Sequence, residues 1–256
     1  MHASVLDDAA WASSWRRHQV GEKVVLSLGL VLTALLAPAW PGCLLVALAA
    51  LGLMLLSARV RPRVLALVVA APLAFVAVGV LPVAVQVGGT PVDAWWQRGP
   101  FSVGGASLRR AAELAAHSVA GALAMVLLAT TTPISDLLAW ARRCHLPAPL
   151  VEVAGLTYRL LWVLLASVLT IREAQHARLG DAAPLGRRLA TSGATVGSVL
   201  VRSWEGARRL EDGLAGRGYT GPLPTLQQAP AASHPLRLGV VAVLAAIWAC
   251  CWVVAR

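Results

Sequence analysis

The chain has 256 residues, of which 58% are hydrophobic and only 13% charged, and its formal net charge is +10. Because soluble globular domains carry about 25% charged residues, this composition excludes an ordinary water-soluble domain and indicates a surface covered mainly by lipid. The basic balance does not indicate a nucleic-acid partner, since the arginines lie between apolar runs, where they set membrane topology.

Five apolar runs are predicted to cross the bilayer as helices, a crossing that takes about 20 residues. They cover residues 24–40, 42–58, 64–87, 114–132 and 236–255. We therefore predict an all-α integral membrane protein with about five transmembrane helices. Its regions are a cytoplasmic N-terminal segment at 1–23, four transmembrane helices at 24–132, a cytoplasmic module of amphipathic helices at 133–235, and a C-terminal transmembrane helix at 236–256.

The positions of the basic residues predict the orientation of these helices. Such residues precede the first span, separate the second span from the third, and follow the fourth: Arg16, Arg17, Lys23, Arg59, Arg61, Arg63, Arg142 and Arg143. Short cytoplasmic segments carry an excess of arginine and lysine. The N-terminus is therefore predicted to be cytoplasmic, the mildly basic loop at 88–113 external, and the C-terminus external.

The segment between the fourth and fifth predicted spans contains a long amphipathic pattern. Apolar or small residues recur at steps of three and four: Leu189, Gly193, Val196, Leu200, Trp204, Ala207, Leu210 and Leu214. This spacing predicts one face of a long helix. Upstream, residues 160–171 form a twelve-residue apolar run, too short to span. We interpret it as a helix buried at the junction of membrane and cytoplasm, with a sixth span as the alternative.

Two short segments place an arginine beside small residues at a predicted helix end. They are Ala177-Arg178-Leu179, followed by Gly180, and Gly216-Arg217-Gly218. A guanidinium presented there can enter a groove and hold a carboxylate through two parallel hydrogen bonds. Either segment alone is better explained as an ordinary helix cap, with an arginine near the negative end of the helix dipole. Their occurrence on both sides of one amphipathic helix favours docking.

Enzymatic motifs are missing from the sequence. A phosphate-binding P-loop requires Gly-Lys followed by Ser or Thr, and the single lysine, Lys23, follows a glutamate. No motif predicts a metal site or a bound cofactor. One alternative is a membrane-embedded enzyme, whose candidate residues are Arg110, Glu113 and His117, and another is a small channel assembled as a homo-oligomer. His117 falls within a turn of the outer end of the fourth predicted span and is interpreted as an interfacial histidine.

The order of these features resembles the transmembrane T component of energy-coupling-factor (ECF) transporters, specifically the cobalt-type, CbiQ-like branch. The matching pieces are the polar segment 6–23, Thr131-Thr132-Pro133 with Asp136-Leu137, the stretch 142–147, Tyr158-Arg159, and the two arginine segments. The resemblance covers nearly the whole chain. In one departure, the second segment begins with Gly216 where the family usually has alanine.

This resemblance implies a non-enzymatic scaffold in the plasma membrane of a prokaryote. It would link a membrane S component, which binds the substrate, to two ATP-binding cassette ATPase subunits. The family places its coupling motifs at Ala177, Arg178 and Leu179 and at Gly216, Arg217 and Gly218, so Arg178 and Arg217 would each dock one ATPase. Cobalt, or alternatively nickel, is the transported ion that this branch implies.

Overall fold

A computed structural model of the chain describes residues 2–87, 94–98, 101–177, 184–219 and 234–254. The helices are α1 (His2–Ala12), α2 (Val20–Leu36), α3 (Leu44–Gly52), α4 (Pro62–Ala84), α5 (Gly105–Thr131), α6 (Ile134–Arg143), α7 (Ala148–Ala177), α8 (Leu185–Ala215) and α9 (His234–Val254). The strands are β1 (Gln86–Val87), β2 (Ala94–Arg98) and β3 (Phe101–Gly104). The chain divides into two compact units, Met1–Trp140 with Gln227–Arg256, and Ala141–Leu226.

Several helices are long and apolar enough to cross a membrane, as an all-α integral membrane protein requires. These are Ala39–Ser57, which is α3 with a π-helical turn at each end, together with Pro62–Ala84, Gly105–Thr131 and Ala148–Ala177. A shorter apolar helix covers Leu238–Trp252. The first predicted span corresponds to α2, which has 17 residues. The predicted fold class is therefore confirmed, and the protein is a multi-pass membrane protein.

The apolar run at 160–171 belongs to a much longer helix than its twelve residues suggested. Helix α7 has 30 residues, which is long enough to cross the bilayer. The flanking residues Arg159 and Arg172 bound the apolar run without ending the helix. Length therefore no longer argues against a sixth span, and the location at the membrane–cytoplasm junction stays a prediction.

Helix α5 lies at the centre of the first unit and contacts α1, α2, α3 and α4. Its buried face carries small residues such as Ala120 and Ala124, which let neighbouring helices approach closely. Leu30 of α2 and Val46 of α3 are fully buried in the same cluster. Close packing around one central helix gives this unit a core that does not depend on any other chain.

Residues 86–104 contain a small antiparallel sheet that the all-α prediction did not include. The strand order is β1-β3-β2, with Gln86 opposite Ser102 and Arg98 opposite Phe101. Valine and aromatic residues are frequent in these strands and favour extended backbone. The third predicted span consequently ends at Ala84 rather than residue 87, and the predicted external loop is partly a sheet.

Helix α5 begins nine residues before the predicted fourth span. Its start is capped by Ser107, whose hydroxyl donates to the carbonyl of Gly104 at 2.9 Å and accepts from the Gly104 N–H at 3.1 Å. The first part of the helix was not predicted because polar residues interrupt the apolar run there, namely Arg109, Arg110 and Glu113. They lie in α5 and not in a loop.

Candidate partner-docking site

The end of α8 is closed by a Schellman motif around the second arginine segment. The Tyr219 N–H donates to the carbonyl of Leu214, and the Gly218 N–H donates to the carbonyl of Ala215, both at 3.0 Å. Gly218 has a φ of +69°, a left-handed conformation that glycine adopts without the steric cost of a Cβ. The predicted glycine cap is therefore confirmed for this segment.

Arg217 lies within this cap, and its side chain is exposed. In the described part of the chain no acidic side chain contacts it. The carbonyl groups at a helix C-terminus carry partial negative charge, so a cation is favourable there. The cap thus presents a guanidinium on a defined turn, with its hydrogen-bonding fork available to an acceptor outside the chain.

Tyr219, directly after the motif, connects it to α7. The hydroxyl of Tyr219 donates to the Oε1 atom of Glu152, in the second turn of α7. This hydrogen bond raises the pKa of the Tyr219 hydroxyl, because it stabilises the protonated phenol. Sequence reasoning missed both residues, which lie 67 positions apart and belong to no local pattern.

The first arginine segment begins at the end of α7. Ala177 is the last residue of that helix, and its side chain is exposed. Arg178 and Leu179 lie outside the residues that the structure describes, so their predicted docking role stays a prediction. The second polar contact between α7 and α8 lies close to this end, where the Gln175 Nε2 atom donates to the Thr195 Oγ1 atom at 2.6 Å.

Helix α8 confirms the predicted amphipathic pattern, and its apolar face is uncovered. The helix has 31 residues, and Leu189, Val196, Leu200 and Trp204 have exposed fractions of 73%, 70%, 69% and 65%. We call these four residues the apolar stripe. The Arg208 guanidinium lies over the Trp204 ring, 5.7 Å from its centroid. So large an apolar face is typical of a surface that a partner or a lipid covers.

Two of the sequence pieces that carry the family resemblance, the polar N-terminal segment and the stretch 131–137, meet at the junction of α5 and α6. Lys23 has only 2% of its side chain exposed, and its Nζ atom donates to the carbonyl of Thr131 at 3.1 Å. Burial raises the pKa of the nearby Asp136 carboxyl, while the positive charges of Lys23 and Arg16 act in the opposite direction. Pro133 separates the two helices, as predicted, so this polar cluster holds the place where the chain leaves the central helix.

The candidate residues of the enzyme alternative are not assembled into a reactive cluster. The His117 Nδ1 atom lies 2.7 Å from the carbonyl of Ala34 and 3.0 Å from the Cys43 Sγ atom, whereas Arg110 and Glu113 are exposed. His117 is more than three turns into α5, not within a turn of its start, because the helix begins earlier than predicted. Among the described residues, no group of three His, Cys, Asp or Glu side chains could hold a metal ion.

The helices and the two units first show the class of protein to which the chain belongs. The chain is a multi-pass helical membrane protein with a packed first unit and a second unit whose amphipathic helix is uncovered. Its sequence matches the family model described as CbiQ, cobalt transport protein, over residues 12–228. The chain belongs to this family, the cobalt-type T components of ECF transporters. CbiQ proteins are transport proteins and not enzymes.

Individual relatives agree with this assignment. The cobalt transport protein CbiQ of Rhodobacter capsulatus is 37% identical over 246 residues, which cover 96% of each chain. A putative fused cobalt transport protein CbiMQ of Methanocorpusculum labreanum is 27% identical over 85% of this chain and 37% of its own length. An uncharacterized protein of Methanocaldococcus jannaschii is 26% identical over 89% of this chain and 85% of its own.

Proposed function

We propose that this chain is the T subunit of an ECF-type ABC importer for cobalt, with nickel as the alternative ion. It would join a membrane S component to two ATP-binding cassette ATPases and would itself bind neither the ion nor ATP. The observation that carries this proposal is the uncovered apolar stripe of α8, a helix that ends in a capped turn with an exposed arginine. The fused relative, whose name joins CbiM to CbiQ, supports a cobalt transport partner of the CbiM type.

In this proposal the two arginine segments dock the two ATPases. Arg217 would insert its guanidinium into a groove of one ATPase and form two hydrogen bonds to a carboxylate, and Arg178 would do the same on the other. Closure of the ATPases on ATP would move α8, whose apolar stripe contacts the S component. The bistable element is the ATPase pair, and α8 transmits its motion to the membrane partner.

Co-purification tests this function directly. The chain is expressed with the cassette ATPases and the CbiM-type membrane protein of its own organism, and the purified complex is assayed for ATP hydrolysis and radiolabelled Co²⁺ uptake, with Ni²⁺ as competitor. We expect one stoichiometric complex, with hydrolysis only when the ATPases are present. A chain that purifies as a monodisperse homo-oligomer without ATPases, or that hydrolyses ATP alone, contradicts the proposal.

The proposal also requires α8 on the cytoplasmic side. In sealed cells, with the other native cysteines removed, a cysteine introduced at position 92 should react with an impermeant external reagent. The native Cys144 and a cysteine introduced at 183 should both be protected. If position 183 reacts from outside while Cys144 does not, α7 crosses the membrane as a sixth span and the proposed placement of α8 is wrong.

A further inference from the structure

Helices α7 and α8 contact each other through two polar bonds whose positions match. Gln175 and Glu152 lie roughly 35 Å apart along α7, at 1.5 Å per residue. Their partners Thr195 and Tyr219 are separated by nearly the same length along α8 and its cap. The first contact on α7 pairs with the last on α8, so the two helices run antiparallel and are joined near both ends.

We propose that Tyr219 and Glu152 are positioning residues for Arg217: their hydrogen bond holds the Gly216–Gly218 turn against α7 and fixes the direction in which Arg217 meets its partner. This inference rests on the proposed docking role of Arg217. It adds two residues outside the arginine segments to the docking site, one of them on a different helix.

The physical argument starts from the position of the turn. Both Arg217 and Tyr219 are exposed, so no surrounding core immobilises the end of α8. A helix end of this kind frays unless a tertiary contact holds it. The Tyr219 hydroxyl donates to a carboxylate, and hydrogen bonds to charged groups are stronger than those between neutral groups.

The position of Glu152 favours the negative charge of the acceptor. It lies in the second turn of α7, near the N-terminal end of the helix dipole, where a negative charge is favourable. Because the Tyr219 N–H also forms the outer hydrogen bond of the Schellman motif, the side-chain bond and the backbone cap act on the same residue. Losing the side-chain bond therefore loosens the turn that carries Arg217.

The first experiment asks whether the bond exists, without any partner. The chain has two tyrosines, so Tyr158→Phe leaves Tyr219 as the single phenol, and its ionisation is followed by phenolate absorbance in the full-length chain. Glu152→Gln removes both the charged acceptor and its negative charge. We expect the pKa of Tyr219 to fall in that variant, and an unchanged titration overturns the proposal.

The second experiment asks whether the bond acts through Arg217. The affinity for the cassette ATPases that co-purify with the wild-type chain is measured for Tyr219→Phe, for Glu152→Ala, which leaves no side-chain acceptor, and for their combination, with Tyr158→Phe as the matched control. Each single variant should bind about twofold to tenfold more weakly, the range set by one hydrogen bond. The combination should be no weaker than either single variant, because both remove the same bond.

Arg217→Ala separates positioning from a general structural role. If Tyr219 acts only by orienting Arg217, then Tyr219→Phe has no further effect on ATPase affinity in the Arg217→Ala background. A further loss there, or wild-type affinity for Tyr219→Phe alone, overturns the proposal. If Arg217→Ala itself binds ATPases as well as wild type does, the docking role fails together with this inference, and the titration still reports whether the bond exists.

Discussion

The two units of the molecule bury their side chains to very different degrees. In the first, side chains from α2, α3 and α5 form one cluster that includes Leu30, Val46 and Leu127. In the second, Val151 is the one buried side chain among the described residues of Ala141–Leu226, and Leu200 is mostly exposed. Two parts of one apolar chain therefore use their leucines and valines in different ways.

This difference separates the apolar residues that stabilise the fold of the chain from the apolar residues of α8 that are available to bind a partner. Lipid is as apolar as leucine, so the buried leucines and valines of a membrane-spanning unit stabilise the fold mainly through close van der Waals contacts between helices. Residues of the first unit make these contacts within the chain. Those of α8 make them only when another molecule covers them. Substitutions in the first unit should therefore reduce stability, whereas substitutions on α8 should reduce association and leave the isolated chain folded.

The largest effect on the isolated chain is expected for Lys23→Met. This change leaves the Thr131 carbonyl without its donor and removes the larger of the two positive charges that act on Asp136. A buried acceptor left without its hydrogen bond costs about 1–3 kcal/mol, and we expect a loss of stability of that size. The measurement is the thermal unfolding of the purified chain in detergent, followed by circular dichroism.

The matched control for Lys23→Met is Arg61→Met, which removes the same charge from an exposed position. Its stability should remain close to that of the wild type.

The pH dependence of the stability lost in Lys23→Met gives a second check. Burial raises the pKa of Asp136, so its ionised form is the costly one, and that cost grows as the pH rises through the pKa. The loss in Lys23→Met should be smaller at pH 4 than at pH 7. A loss that grows on acidification contradicts this explanation.

A double substitution on the apolar stripe should weaken association and leave the stability of the isolated chain nearly unchanged. Leu200→Gln with Trp204→Gln places polar groups where the side chains are already exposed, so the stability of the chain should change by less than about 0.5 kcal/mol per site. Association with the S component should weaken by about 2 kcal/mol, roughly 30-fold, with Trp204 as the anchor of the interface. Microscale thermophoresis in detergent measures the affinity.

Ser198→Gln is the control for the stripe, since Ser198 lies on the opposite face of α8. It should leave both stability and association unchanged. A stripe variant that unfolds the chain, or that associates as tightly as wild type, would remove the distinction between the two units.

The smallest effect is expected at the cap of α8. Gly218→Ala introduces a Cβ at a φ of +69°, which costs about 1 kcal/mol. Gly213→Ala, within α8 and with open space around the added Cβ, should instead stabilise the helix by up to about 1 kcal/mol. Hydrogen exchange of the last turn of α8 measures both. Equal protection in the two variants would show that the left-handed cap is not formed.

Sequence reasoning succeeded where the signal was periodic. The stripe of α8 and the break at Pro133 follow from local spacing, and both are present. The start of α5 and the full length of α7 were not predicted. In both helices polar residues interrupt the apolar run in the sequence, although the helix continues through them. The contacts of Lys23 with Thr131 and of Tyr219 with Glu152 join residues far apart in sequence, so no local pattern could predict them.

The central claim is that the second unit is a docking platform for two ATPases, and the most direct test removes both arginines. Truncating one docking arginine should cost about 2–5 kcal/mol at that contact, because the partner carboxylate is left unpaired. Arg178→Ala and Arg217→Ala should each weaken ATPase recovery in pull-downs from detergent. The double variant should release the ATPases while the chain stays monodisperse.

Two controls complete this measurement. Arg→Lys at either position should not restore recovery fully, because an ammonium cannot replace the planar fork. Arg202→Ala, an exposed arginine on the face of α8 opposite the stripe, is preferred to Arg208→Ala, since Arg208 lies over Trp204. The account predicts wild-type recovery for Arg202→Ala and none for the double variant. Wild-type ATPase stoichiometry in the double variant would contradict it and leave the two segments as ordinary helix caps.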